Sequence, residues 1–465
     1  MNRRTFLRSA RAALLAGGAA AVTPSTSAAM PERFTLMGVG DCLLARRVRR
    51  RKDEPFLELV EMLRTADCTW GNCEMVISDG DHLYPQPKGL DPHILSPAWA
   101  ADELAWLGID FVGTANNHTV DFGHQGLFDT LDHLERVEID HAGAGRDLPA
   151  ALAPGYRDTG AGRVAQVNAC STYEEYFPAG PPHPWMNGRP GINPLAREVM
   201  PRVEEETWNR LREVQNTSIE LMGYREFGEV IAKMEESLAT AGRVWLPERG
   251  MVVKGEEAGL EMSANPGHIE RITASLTVAR RQARVLLATL HAHEAWRKLE
   301  YSAPFIAPFA RATIDAGADV FFAAGPHVLR GIELYEGKPI FHGLGNFVFH
   351  YESVHQLPAE AYMQLGLEPD TVDSWQYYRQ IPYHQEARFW QAIVPRLTWS
   401  GADLVEIELF PITLGFDQPV YRRGTPELAT GAQAREILEG LAELSADFGT
   451  SIQIDGDIGR VDLAS

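Results

Sequence analysis

Between Gly113 and Gly123 the chain reads GTANNHTVDFG, which places Asn116, Asn117, His118 and Asp121 within six positions. Asn offers a neutral oxygen to a metal. His ligates or shuttles protons, and Asp orients either one. The same residue types beside Gly also build ordinary turns, so the loop alone carries two readings. Other polar residues recur at equivalent places. Asp41 and Glu74 each follow a short apolar run, as do His291 and His327 further on. Carboxylate, amide and imidazole form a mixed O/N donor set suited to Mn, Fe, Zn or Co. Two such divalent ions about 3.5–4 Å apart, bridged by a carboxylate, clamp an attacking water and a leaving oxygen.

Strands must deliver those residues. Phe34 to Val39, Cys68 to Gly71, Ile109 to Val112, Val164 to Ala169, Val285 to Leu290 and Asp319 to Ala323 are the expected strands, each an apolar run ending in a polar turn. Pro55 to Arg64, Pro97 to Leu107, His124 to Glu135 and Pro304 to Ala316 show the 3.6-residue period of amphipathic helices. Strands alternating with helices predict a sheet that gathers strand ends, and chemistry, on one edge. Tyr173 to Pro194 and Ser353 to Arg388 break the pattern as irregular insertions. Glu198 to Glu236 and Ser263 to Arg284 read as helices, Leu404 to Phe410 as a late strand and Pro426 to Leu444 as a C-terminal helix.

The 465 residues are 45% hydrophobic and 23% charged, with a net charge of −20, so the chain is globular and long enough for a large core. The first 29 residues hold Arg3, Arg4, Arg8 and Arg11 and no acid, which leaves the remainder more acidic still. Such a body gains nothing from long-range attraction to nucleic acid or anionic lipid. Arg3-Arg4-Thr5-Phe6-Leu7, an Ala-rich apolar stretch and Ser27-Ala28-Ala29 read as a twin-arginine signal peptide over 1–29. The stretch is too short to span a bilayer comfortably, so the expectation is a periplasmic or secreted protein without an integral membrane segment. Four cysteines in this length are no disulfide framework. A Cys68–Cys73 bridge stays open as an alternative to buried thiols.

Six strings in order carry a resemblance: Gly40-Asp41-Cys42-Leu43-Leu44-Ala45-Arg46, Asn72-Cys73-Glu74, Ala115 to Gly123, His291-Ala292-His293-Glu294, Gly325 to Gly331 and Gly343 to Phe349. With them the sequence resembles the poly-gamma-glutamate capsule-synthesis (CapA-type) family of the calcineurin-like metallophosphoesterase superfamily. The resemblance spans most of Phe34 to Phe349 and is thinnest between Tyr173 and Arg284. It implies a four-layer αββα sandwich over about 30–420, with insertions near 173–284 and 350–400 and a C-terminal helical extension over 421–465. It also implies two divalent metal ions. In that frame Asp41 binds one ion, Glu74 bridges, Asn117 binds the second, and His291 and His327 complete the shell. His118 is the general acid, Asp121 positions it, and Asn346 closes the site. Relatives often carry a further His just before Gly-Pro-His. Ala324 stands there in this chain, which makes His293 an accessory candidate. The His that phosphoesterases carry after the first Asp is also missing, with Cys42 and Leu43 in its vicinity.

Arg46, Arg47, Arg49, Arg50, Arg51 and Lys52 form a basic run beside Asp41. It reads either as a polyanion patch, with Arg46 the best candidate at the site, or as a solvated face balanced by Asp53, Glu54 and Glu58. The Gly143 to Arg146 loop could cradle an anion or simply turn a strand into a helix. Trp185, Tyr377, Tyr378 and Trp390 are candidates for a cleft wall. The expected function is metal-assisted hydrolysis or transfer at a phosphoryl or gamma-glutamyl amide bond of an anionic polymer or small molecule. A non-catalytic polymer-binding subunit and a phosphodiesterase on nucleotide or lipid head groups are the alternatives.

Overall fold

The computed structural model describes residues 31–464 apart from 81, 89–91, 248, 382 and 384. The twin-arginine segment expected over 1–29 lies outside the described residues. Two mixed sheets pack face to face. The first runs, in spatial order, Ile452–Asp455, Ile458–Val461, Asp403–Thr413, Gln391–Ser400, Arg33–Leu43, Cys68–Cys73, Phe111–Gly113 and Asp140–Ala142. The second runs Ile332–Tyr335, Lys338–Phe341, Val320–Ala324, Val285–His291, Gly162–Cys170 and Gly155–Thr159.

The strand sequences explain the layering. Along Val285–His291, Val285 and Leu287 face a core shared with Phe34, Leu36 and Trp70 of the first sheet, whereas Leu286, Ala288 and Leu290 face helices. A strand covered on both faces needs such a near-continuous apolar run, here interrupted only by Thr289 before His291. Between the sheets Trp70 stacks on Phe322, with ring centroids 5.1 Å apart. Gly38 makes room for the stack, because a Cβ there would meet the Phe322 ring at 2.7 Å. Burying each of those rings stabilises the fold by about 1.5–3 kcal/mol. Outside the first sheet lies Glu54–Thr65, which buries Phe56, Leu59, Val60 and Leu63, together with Trp99–Leu107. Outside the second lie Pro266–Arg280 and Ile306–Asp315. The result is the expected four-layer αββα arrangement.

Three stretches differ from the sequence expectation. Glu198 to Glu236 is not one helical run. It opens as the strand Arg197–Val203 before the helices Glu205–Leu221 and Glu229–Thr240. Pro201 cannot sit inside a helix, and Val199 and Val203 alternate around it. That strand joins Arg243–Leu246, Gly250–Lys254 and Gly259–Ala264 in a separate four-stranded sheet. Gln391–Ser400 is a strand despite Pro395, which lies opposite Leu409. Beyond the helix Gly431–Ala446, the C-terminal stretch also folds the hairpin Ile452–Asp455 and Ile458–Val461 onto the first sheet, so it is more than a helical extension. Its two-residue loop Gly456-Asp457, with Gly456 at φ +62°, is a hairpin signal.

Cys42, Cys68, Cys73 and Cys170 are buried free thiols, so the Cys68–Cys73 bridge is not formed. Among the described residues no helix is long and apolar enough to cross a membrane.

Candidate metal centre

Parallel strands run together to one edge and leave their polar residues there. Asp41 lies in register with Asn72 on one side and with Asn346 on the other. His291 ends its strand in register with Cys170 and Ala324. Glu74, the Asn117 loop and His327 follow the ends of theirs. Asp41, Glu74, Asn117, His118, His291 and His327 are all buried, none more than 4% exposed.

Glu74 is the centre of the arrangement. Its Oε1 lies 3.6 Å from His327 Nε2, 3.7 Å from both His291 Nε2 and His293 Nε2, and 3.9 Å from His118 Nε2. These separations exceed hydrogen-bond range. They resemble those between donors that share one cation at bonds of about 2.0–2.2 Å. Asp41, Glu74 and His291 form one group of converging donor atoms, and Glu74, His293 and His327 form another. Two groups sharing one carboxylate, with O and N donors alone, are a donor set that could hold divalent metal. His293 is therefore not peripheral. It stands beside His291, Nε2 to Nε2 at 3.0 Å, and its side chain, 23% exposed, is the most open of the donors.

The surrounding groups fix the donors. Gly325 N–H donates to both Asp41 oxygens at 3.0 and 3.1 Å. A Cβ at Gly325, which has φ +103°, would meet the His291 and His293 rings at 2.8 Å, so this turn needs Gly. His327 itself holds φ +58°, a strained setting for a non-Gly residue that is common where a side chain must be aimed. Its Nδ1 lies 2.8 Å from Asn346 Oδ1, and Asn346 Nδ2 donates to the Phe389 carbonyl at 2.9 Å. Asn346 thus orients His327. Burial pushes the His291 imidazole well below the usual histidine range, and His293, His327, His118 and Lys88 push it further. A neutral imidazole is the form that offers a lone pair to a cation.

The Asn-Asn-His loop is built the same way. Asn116 accepts the His118 backbone N–H at 3.0 Å and donates to the Cys73 carbonyl at 2.7 Å, tying the loop to the residue before Glu74. Asn117 Nδ2 lies 3.3 Å from His118 Nε2, and His118 Nδ1 lies 2.7 Å from Asp121 Oδ2. Burial alone would raise the Asp121 carboxyl, but Lys88 and His118 pull it down to about 2. Two residues join the site that sequence reasoning misses. Asn72 Nδ2 donates to Asp41 Oδ1 at 2.8 Å and lies 3.1 Å from His291 Nδ1. The Asn-Cys-Glu string contains it. Lys88 donates to Asp121 Oδ1 at 2.8 Å from within a Pro-rich loop that gives no signal.

A carboxyl held below its unfolded value near 4 contributes stability above that pH and loses it as pH falls toward 2. Metal-free native protein is therefore expected to lose on the order of 2 kcal/mol between about pH 4 and pH 2 from Asp121 alone. Asp121→Asn should lack that component in urea unfolding across the window. Identical acid losses in both proteins would refute the assignment.

Arg46 does not join the cluster. Its guanidinium donates to the carbonyls of Val420 and Arg423, locking the first strand's exit to the C-terminal stretch. Burial lowers it to about 10. The rest of the basic run is largely neutralised within the chain. Arg47 and Arg49 pair with Glu103, and Arg51 pairs with Asp53 and Glu427. The Gly143 to Arg146 loop pairs as a short strand with Gly191–Ile192, and Arg146 lies over the Phe128 ring. Tyr377, Tyr378 and Trp390 are buried core residues, and Trp185 is exposed. The aromatic rings against His327 are Tyr383, edge-on at 5.1 Å, and Phe349 at 5.4 Å.

Comparison with known proteins follows the same residues. The family model described as bacterial capsule synthesis protein PGA_cap matches residues 35–351, a span holding every donor above. A Sinorhizobium fredii protein, described as uncharacterized protein y4sH, is 31% identical over 95% of this chain and 96% of its own length. The PGA biosynthesis protein CapA of Bacillus subtilis is 23% identical over 71% of this chain and 67% of its own. The capsule biosynthesis protein CapA of Bacillus anthracis is 22% identical over 68% and 60%. From the ordered motifs, the sandwich they join and this match, the chain belongs to the PGA_cap family of bacterial capsule synthesis proteins, within the metallophosphoesterase-like superfamily.

Proposed function

We propose that this protein is an exported, metal-dependent hydrolase-like enzyme acting on a phosphoryl or gamma-glutamyl amide bond of a capsule-type anionic polymer. The convergence of four imidazole nitrogens on Glu74 Oε1 carries the reading. Asp41, Glu74, His291, His293 and His327 would hold the ions, and Asn117, beside His118, would offer its amide oxygen as a further donor. When bound, such ions polarise the scissile group and supply a nucleophile at neutral pH. The chain's own residues do the rest. Asp121 fixes the His118 ring through Nδ1, which turns Nε2 toward Glu74. From there His118 hands a proton to the leaving group as general acid. Asn346 and Gly325 hold His327 and Asp41 against the field of the neighbouring imidazoles. Tyr383 covers the His327 ring on the side of the second insertion.

The test is a panel of phosphoester and gamma-glutamyl substrates with metal-loaded protein. His118→Asn is expected to keep its metal and lose turnover by roughly 100-fold or more. Turnover that survives this change, or that ignores chelator, contradicts the proposal. The near-complete burial of the donors favours one second reading, a polymer-handling subunit without turnover. Metal retained with no turnover across the panel selects it.

A further inference from the structure

Lys88 is a lysine whose side chain is only 2% exposed, and it is placed against the catalytic pair rather than the ions. Its Nζ donates to Asp121 Oδ1 at 2.8 Å and lies 3.1 Å from His118 Nδ1. The other Asp121 oxygen takes the Ile94 N–H at 2.8 Å and faces His118 Nδ1 at 2.7 Å. The ammonium therefore completes the carboxylate, and both oxygens are engaged. An ammonium removed from water is costly unless paired, so a simple structural loop gains little by burying one.

The loop is also gripped from both insertions. The Tyr176 hydroxyl donates to the Pro87 carbonyl at 2.8 Å, and Gln364 Nε2 donates to the Lys88 carbonyl at 3.1 Å. Gln364 ends the short helix Ala359–Gln364, which faces Pro85 to Lys88 across a cavity of about 230 Å³. Neither insertion reaches Asp121 through a hydrogen bond or ion pair of its own among the described residues.

We propose that Lys88 is a positioning residue for His118 and Asp121, set in place by the two insertions through its loop backbone. The inference rests on the role assigned above to His118. Lys88→Met keeps the length of the side chain and removes the charge. Asp121 Oδ1 then loses its donor, the carboxylate is held through Oδ2 alone, and the His118 ring has a less firmly fixed partner. Gln364→Ala loosens the loop from outside and should produce a weaker effect of the same kind.

The experiment compares native protein, Lys88→Met, Lys88→Arg and Gln364→Ala by metal content, by NMR of ¹⁵N-labelled histidine and by kinetics. The expected result is unchanged metal content in all four. The hydrogen-bonded His118 Nδ1 proton signal should be lost in Lys88→Met and restored in Lys88→Arg. On any substrate the native protein turns over, kcat should fall roughly 10- to 100-fold in Lys88→Met while KM holds, as misplacement of a reacting group does. A native His118 signal and native kcat in Lys88→Met overturn the proposal. If native protein turns over nothing, the hydrolase reading fails while the NMR comparison still decides Lys88. If Lys88→Met does not fold, Lys88→Arg and Gln364→Ala decide it by the same signal.

Discussion

Glu74→Gln is expected to strip the protein of metal at both donor groups at once. Glu74 belongs to the Asp41 and His291 group and also to the His293 and His327 group. Gln keeps the shape but removes the charge and one good donor oxygen, in a place where four imidazoles face the carboxylate. Loss of a residue that merely orients a ligand costs roughly 10- to 100-fold in metal affinity, so loss of the shared ligand should cost at least about 100-fold at each position. His293→Ala is the contrast, because it removes a donor from one group only. Elemental analysis of the two variants and native protein after dialysis separates these outcomes. Glu74→Gln retaining native metal would break the shared-carboxylate account.

The largest effect on stability is expected at Gly40. A Cβ there would lie 1.7 Å from the Gly345 carbonyl oxygen and 2.8 Å from its carbon. Both atoms are backbone, so no side chain can swing aside. Gly345 holds φ +77°, and its carbonyl accepts the Asp41 N–H at 3.2 Å. This close approach sets Asn346 beside Asp41 in the sheet. Gly40→Ala must push the two strands apart, at about 3 kcal/mol or more. It also moves Asn346, the partner of His327 Nδ1. Urea unfolding should show the lost stability, and metal titration should show weaker binding in whatever folds. A native unfolding midpoint in Gly40→Ala would show that the two strands do not approach this closely.

The sandwich is legible in the sequence because strands covered on both faces must be nearly continuous apolar runs. Val285–His291 has no other way to serve two cores. The donors are legible because parallel strands end together, so a polar residue after each apolar run has to arrive at a common edge. The resemblance assigns a ligand role to His291 alone, which makes His293 only an accessory candidate in the sequence, although two steps along an extended chain return a side chain to the same face. The structure brings both rings to 3.7 Å from Glu74, and the missing side chain at Gly325 leaves the room they need. Arg46 is misplaced by sequence for a related reason. Proximity to Asp41 along the chain says nothing about which carbonyls lie within reach of a long side chain, and those of Val420 and Arg423 come from the far end of the chain. Glu103 likewise neutralises Arg47 and Arg49 from a separate helix, which no local pattern could reveal. Lys88 is invisible in the sequence because its meaning comes from a loop fold held by Tyr176 and Gln364. The four-stranded insertion sheet is hidden by the many charges around Pro201, which read as an exposed helix.

The account depends on ions held around Glu74. Crystals of protein purified with added Mn²⁺, measured at the Mn absorption edge, test that directly. Two anomalous peaks are predicted, one bounded by Asp41, Glu74 and His291 and the other by Glu74, His293 and His327. A well-ordered cluster without a peak in either position, under saturating metal, would contradict it.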